Sequence, residues 1–172
     1  MRVRGVPRPG RRDNLVQICV RFVREYGFEA MGVFPFSPEP GTPAGMLHAK
    51  GEAVPAQVVQ ERVEELMQTQ QKVAFARNEK TAANATEFDV LIDSATRSSG
   101  KATTGVTRGG KLYAGRTYQQ APAIDGITYV QARHQLAPGE VVRCKITAAD
   151  GYDLIAQPVS EIGLAMSLPV VR

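Results

Sequence analysis

The sequence predicts an α+β chain, with a helical first half of α/β character and a small antiparallel β-barrel in the second half. Three observations predict it. Five short runs between residues 88 and 157 have the apolar and β-branched character of strands. Among them stand Ala121-Pro122, Asp125-Gly126, Pro138-Gly139 and Asp150-Gly151. Such dipeptides turn a backbone, because Pro presets φ and Gly tolerates positive φ. Residues 13–80 instead hold two segments of helical periodicity separated by one apolar run, which is the order of an α/β repeat.

The predicted strands are Phe88–Asp93, Tyr113–Tyr118, Ile127–Ala132, Glu140–Thr147 and Tyr152–Gln157. In the first, Phe88, Val90 and Ile92 alternate inward. In the fourth, Val142, Cys144 and Ile146 alternate with Val141, Arg143 and Lys145, so one face is core and the other meets solvent. Five antiparallel strands of this length imply an OB-like barrel. Arg97–Gly110, rich in Ser, Thr and Gly, reads as a long hairpin loop, and Val159–Arg172 as a short apolar tail.

In the first half, residues 1–12 are an Arg/Pro/Gly-rich head that cannot bury a face. Asp13–Tyr26 is a predicted helix capped by Asp13 or Asn14, with Leu15, Ile18, Cys19, Phe22, Val23 and Tyr26 on one face. Gly27 follows as a left-handed stop. Glu29–Phe36 is expected to be a buried strand ended by Pro35, and Ser37–Val54 a loop. Pro55 opens a second, amphipathic helix of about 25 residues. Its apolar stripe is Val59, Val63, Leu66, Met67, Val73 and Ala74, interrupted by Gln70. One helix–strand unit cannot close a sheet, so its partners are missing.

The net charge of +4 points toward nucleic acid only until it is located. Residues 1–12 hold five arginines and no acid, which leaves 16 basic against 17 acidic residues in the remainder. Residues 86–158 carry eight basic and seven acidic groups. Affinity for nucleic acid follows the phosphates neutralised, so the body of the chain is a weak electrostatic trap. Arg116, Arg133, Arg143 and Lys145 are nevertheless the basic candidates on the barrel, with Tyr113, Tyr118, Tyr129 and Tyr152 as candidate stacking platforms.

Catalytic patterns are scarce. Cys19 and Cys144 are expected to be buried free thiols, and no Cys-x-x-Cys offers thiolates to zinc or an iron–sulfur cluster. His48 and His134 have no carboxylate or thiol at a motif spacing and read as surface histidines. Glycine-rich nucleotide loops and zinc-protease motifs are absent. The Pro-Glu-Pro-Gly-Thr-Pro loop follows the carboxyl end of the expected strand, where α/β barrels place active sites, but a rigid turn explains it equally well. No run of apolar residues is long enough for a membrane span, and no apolar signal region follows the basic head, so a cytoplasmic setting is expected.

Several runs together carry a resemblance. They are Val33-Phe-Pro-Phe-Ser-Pro-Glu-Pro-Gly-Thr-Pro-Ala44, the Val-Pro-x5-Glu-Arg-x3-Leu-Met-x2-Gln-Gln helix from Val54 to Gln71, Gly115-Arg-Thr117, Ala121-Pro-Ala-Ile-Asp-Gly126 and Tyr152-Asp-Leu154. The chain resembles the C-terminal part of the radical-SAM methylthiotransferases over residues 22–158. More narrowly it resembles the RimO family, which methylthiolates an aspartate of a small-subunit ribosomal protein. The Ala-Pro-x-Ile-Asp-Gly run and the Tyr-Asp-Leu end carry the narrower likeness. The Ser-Pro-x-x-Gly-Thr-x-Ala loop is shared with the tRNA-modifying sister family. Ala123 departs from the pattern, which commonly has Glu there.

The resemblance implies that residues 13–80 are the end of a radical-SAM partial α/β barrel and that residues 86–158 are a TRAM domain that presents the substrate. It implies two 4Fe-4S clusters and S-adenosylmethionine in the full-length family, held by six cysteines of preceding domains. No cofactor is expected in this chain, which matches none of those positions and is not expected to be active alone. It further implies a C-terminal piece of a longer enzyme, to be paired with an N-terminal half. The substrate-contacting residues it suggests are Arg116, Asp125, Tyr152 and Asp153, which match the family runs and lie in or beside turns. The expected partner is a small-subunit ribosomal protein. Two alternatives remain open, a tRNA methylthiotransferase fragment and a non-catalytic module that binds RNA or a ribosomal protein.

Overall fold

A computed structural model describes residues 11–51, 53–96 and 110–162. The basic head up to Gly10, most of the expected hairpin loop at 97–110 and the tail beyond Ile162 lie outside the described residues. The chain divides into two compact units, Met1–Val73 and Ala74–Arg172.

The second unit is built on a closed five-stranded barrel. Its strands are β1 (Glu87–Thr96), β2 (Lys111–Arg116), β3 (Thr128–Ala132), β4 (Val141–Asp150) and β5 (Asp153–Pro158), in the order β1-β2-β3-β5-β4. Every neighbouring pair is antiparallel except β3–β5, which is parallel and joins Thr128–Val130 to Leu154–Ala156. The all-antiparallel expectation is corrected there. A parallel pair needs a long crossover, and β4 with its turns supplies it. Closure removes the unpaired sheet edges that would otherwise invite association.

Alternation works as the sequence predicts. Val90, Ile92, Cys144 and Ile146 are fully buried, and Phe88 and Val142 pack against the same core. Tyr113, Val130, Ala132, Leu136, Leu154 and Ala156 complete it. The Tyr113 hydroxyl accepts the Leu136 backbone N–H at 3.1 Å, satisfying both groups inside the barrel wall.

The last turns of α3 (Ala56–Ala83) belong to this unit. Phe75 meets the Tyr152 ring edge-on at 4.9 Å, Asn78 Nδ2 donates to the Gly151 carbonyl at 2.9 Å, and Ala82 packs on the core. A short α4 (Val159–Ile162) follows β5.

The first unit departs further from expectation. α1 runs Arg11–Tyr26, so the described helix begins before the expected start at Asp13. Gly27 closes it at φ 74° with its N–H on the Val23 carbonyl, as its freedom at positive φ predicts. The covered side of α1 is Val20 and Val23, whereas Leu15, Ile18, Phe22 and Tyr26 are exposed. Cys19, expected to be buried, is exposed as well.

Glu29–Phe36 forms no strand, and Phe34 and Phe36 stand in solvent. A lone strand cannot satisfy its backbone, and every described strand is already paired within the barrel. The expected loop 37–54 contains a short helix, α2 (Pro43–Ala49), whose first turn Thr42 caps by accepting the Gly45 N–H. α3 begins at Ala56, with the Pro55 carbonyl accepting its first helical bond. Gln70, the interruption in its stripe, is buried and donates to the Phe28 carbonyl at 3.0 Å. No described helix is long and apolar enough to cross a membrane.

Candidate functional site

The loop from Thr117 to Ile127 joins β2 to β3, and the turn at Asp150–Tyr152 joins β4 to β5. The two meet. Gly126 lies so close to Tyr152 that a β-carbon on it would sit 2.1 Å from the Tyr152 carbonyl oxygen. The neighbouring backbone is pinned to the same segment, because Asp153 Oδ1 accepts the Ile127 N–H at 2.8 Å and Leu154 donates to the Ile127 carbonyl. Asp125 in turn accepts the Ala121 N–H at 2.7 Å, closing the Ala121–Asp125 turn on itself.

The base of the loop is tied by Gln120. Its side-chain oxygen accepts the Thr117 N–H at 2.9 Å and the Thr128 hydroxyl at 2.6 Å, with both threonines buried. Nothing in the periodicity of the sequence distinguishes Gln120 from Gln119. Its role follows only from the strand ends that bring Thr117 and Thr128 together.

Of the four residues suggested by resemblance, three therefore converge on one corner. Asp125 and Asp153 are bonded to backbone N–H groups, and Tyr152 is backed by Phe75 while 40% of it stays exposed. Arg116 is engaged elsewhere, in an ion pair of 3.0 Å with Asp93 on β1. The large apolar side chains that stand out furthest here are others. Tyr118 is 83% exposed, with its ring leaning toward Phe88 at 6.1 Å, and Ile124 is 84% exposed.

The stacking platforms and basic candidates thin out. Tyr113 is core, not platform. Arg143 is held between Glu87 and Asp89 on the facing strand, each at 3.3 Å. Neither the loop 117–127 nor the segment 148–153 contains a Lys or Arg, while together they carry Asp125, Asp150 and Asp153.

His134, read as an ordinary surface residue, has a carboxylate partner 27 residues away. Glu161 of α4 takes the Arg133 and His134 N–H groups and the His134 ring nitrogen Nδ1. No sequence spacing signals this, since it depends on β5 running parallel to β3.

Cluster iron requires thiolates, and the donors here do not fit it. Cys144 lies in the barrel core, where burial pushes its thiol up to about 12. Cys19 is exposed on α1. Among the described residues no three His, Cys, Asp or Glu side chains gather into a metal-binding group.

A closed OB-like barrel with this loop arrangement defines a class, and residues 86–159 match the TRAM domain family. Nearly the whole chain then finds relatives, each named ribosomal protein uS12 methylthiotransferase RimO. It is 38% identical to that of Anaeromyxobacter sp. (strain Fw109-5) over 152 residues, which is 88% of this chain and 29% of the relative. The protein of Acetivibrio thermocellus is 33% identical over 153 residues, 89% of this chain and 30% of the relative. That of Aquifex aeolicus is 34% identical over 147 residues, 86% and 31%. Over most of its length this chain is similar to RimO methylthiotransferases, and its residues 86–159 are a TRAM domain. It spans about three tenths of the length of the curated relatives it matches.

Proposed function

We propose that this chain is a C-terminal piece of a RimO-type methylthiotransferase and that its barrel docks a small-subunit ribosomal protein. The observation that carries the reading is the meeting of Ala121–Gly126 with Tyr152–Leu154. The two runs most particular to the resemblance form one pinned corner, and that corner is exposed and acidic. Tyr152 offers an aromatic face to the substrate, and Asp125 and Asp153 hold the loop and lend it negative charge, whereas Arg116 is paired with Asp93 on β1.

RNA, the competing partner of an OB-like barrel, is bound by cations and stacked rings along a basic groove. A corner that offers aspartates repels phosphate and favours a cationic protein surface. The same argument stands against the tRNA branch. Sulfur insertion and methyl transfer belong, on this reading, to the clusters and S-adenosylmethionine of the complete enzyme. The two cysteines here give such clusters no seat, so this chain's share is to bind and orient.

Residues 13–80 are read as the edge of the radical-SAM domain. In support, most of the α1 apolar side chains, together with Phe34 and Phe36, stand uncovered, and the relatives are much longer than this chain. The protein is expected to work in the cytoplasm, where ribosomal proteins are met.

The test is equilibrium binding of the full chain to purified uS12 and to tRNA, each at low and high salt. Preferential binding of uS12 is expected. Tight tRNA binding that collapses with salt, with none to uS12, overturns the proposal.

A further inference from the structure

We propose that Tyr118 and Ile124 are the anchor side chains with which the β2–β3 loop grips a cationic polypeptide segment. The inference rests on the protein-docking reading above and adds which side chains bind and what they bind.

An exposed apolar side chain is in itself ordinary. These two differ in their mounting. The loop that carries them is fixed at its base by Gln120, across its middle by Asp125 on Ala121, and at its exit by Asp153 on Ile127. Further backbone bonds run from Gln120 to the Thr117 carbonyl at 3.1 Å and from Asp125 to the Ala121 carbonyl at 3.3 Å. At Gly126 the loop is seated directly on the Tyr152 backbone. A loop ordered in advance loses little conformational freedom when a partner covers it, so apolar area on its tip converts efficiently into affinity. Tyr is also among the residues that dominate binding energy at interfaces.

The charge around the tip selects the occupant. Asp125 and Asp153 lie in the corner, while loop and turn contribute no Lys or Arg. A segment that places an apolar side chain between Tyr118 and Ile124, with Lys or Arg flanking it, satisfies both features. Tyr118 alone is a surface on which a nucleobase can stack. Asp125 on the same loop, with Asp153 bonded to the loop's exit, opposes the phosphates that would accompany that base.

The test compares the full chain with its Tyr118→Ala, Ile124→Ala and Val141→Ala variants. Val141 is an exposed control 64% accessible at the start of β4. Binding to purified uS12 and to a single-stranded RNA is measured, with thermal melting to verify the fold. Each loop variant is expected to weaken uS12 binding by about tenfold or more. Val141→Ala is expected to leave it within about twofold, as for energetically near-neutral surface positions. If uS12 binds and neither loop variant changes its affinity, the anchors are wrong while the docking reading survives. If the same variants abolish binding to RNA and not to uS12, the occupant is a nucleic acid and the inference is overturned. If the unaltered chain does not bind uS12 at all, the inference falls with the reading beneath it.

Discussion

At Gly126 an added β-carbon would lie 2.1 Å from the carbonyl oxygen of Tyr152 and 3.0 Å from its Cβ. Backbone cannot retreat as a flexible side chain does, so Gly126→Ala forces the loop and the β4–β5 turn apart. We expect a loss of about 1–3 kcal/mol in denaturant unfolding, the usual range for overpacking. An unchanged midpoint would show that the two segments do not abut. Glu161 makes a pH prediction at the same scale. Partial burial pushes its carboxyl up, but the N–H groups of Arg133 and His134, with the His134 ring, outweigh that and hold it below its ordinary value of 4.5. The folded state thus binds fewer protons than the unfolded state in this range. The carboxylate's stabilisation is present above about pH 4.5 and is lost as pH falls through the folded-state value. Glu161→Gln should flatten the fall in melting temperature between about pH 6 and about pH 3. Parallel profiles for the two proteins would remove Glu161 as the cause.

Among the elements, the end of α3 is the instructive case. Its periodicity was readable as one amphipathic helix, but periodicity does not say where along a helix its support changes. Phe75, Asn78 and Ala82 contact the barrel, so a polypeptide of residues 74–172 should be more stable than one of residues 84–172. The difference expected is about 1–3 kcal/mol, from one edge-to-face aromatic pair with its buried area and one hydrogen bond to Gly151. Equal urea midpoints would mean that these turns contribute nothing. α1 teaches a related lesson. Leu15, Ile18, Cys19, Phe22, Val23 and Tyr26 share a face in the sequence, yet of these only Val23 is buried, together with Val20 from outside the set. An apolar pattern marks a face able to be buried, while its neighbours decide whether it is. Glu29–Phe36 fails as a strand for the same reason, since strands exist in pairs.

For the molecule as a whole, the barrel was legible because its rules are local. The alternation of Phe88, Val90 and Ile92, and of Val142, Cys144 and Ile146, places a core without knowledge of partners. The parallel β3–β5 closure was not legible, so the Glu161 bonds to Arg133 and His134 that depend on it were missed, and the Gln120 tie between Thr117 and Thr128 was missed because it follows from the β2–β3 pairing. The candidate corner was half legible. Motif likeness pointed to Asp125, Tyr152 and Asp153, but only the fold shows two of them bonded to the backbone and Tyr118 and Ile124 standing outward. The central claim is that a protein substrate docks on this corner. Hydrogen–deuterium exchange of the full chain with and without uS12 tests it most directly. The account predicts added protection at residues 117–127 and 150–154, with little change along β1 and β4 near Arg143. Protection confined to the Arg143 side of the barrel, or none anywhere on it, would contradict the account.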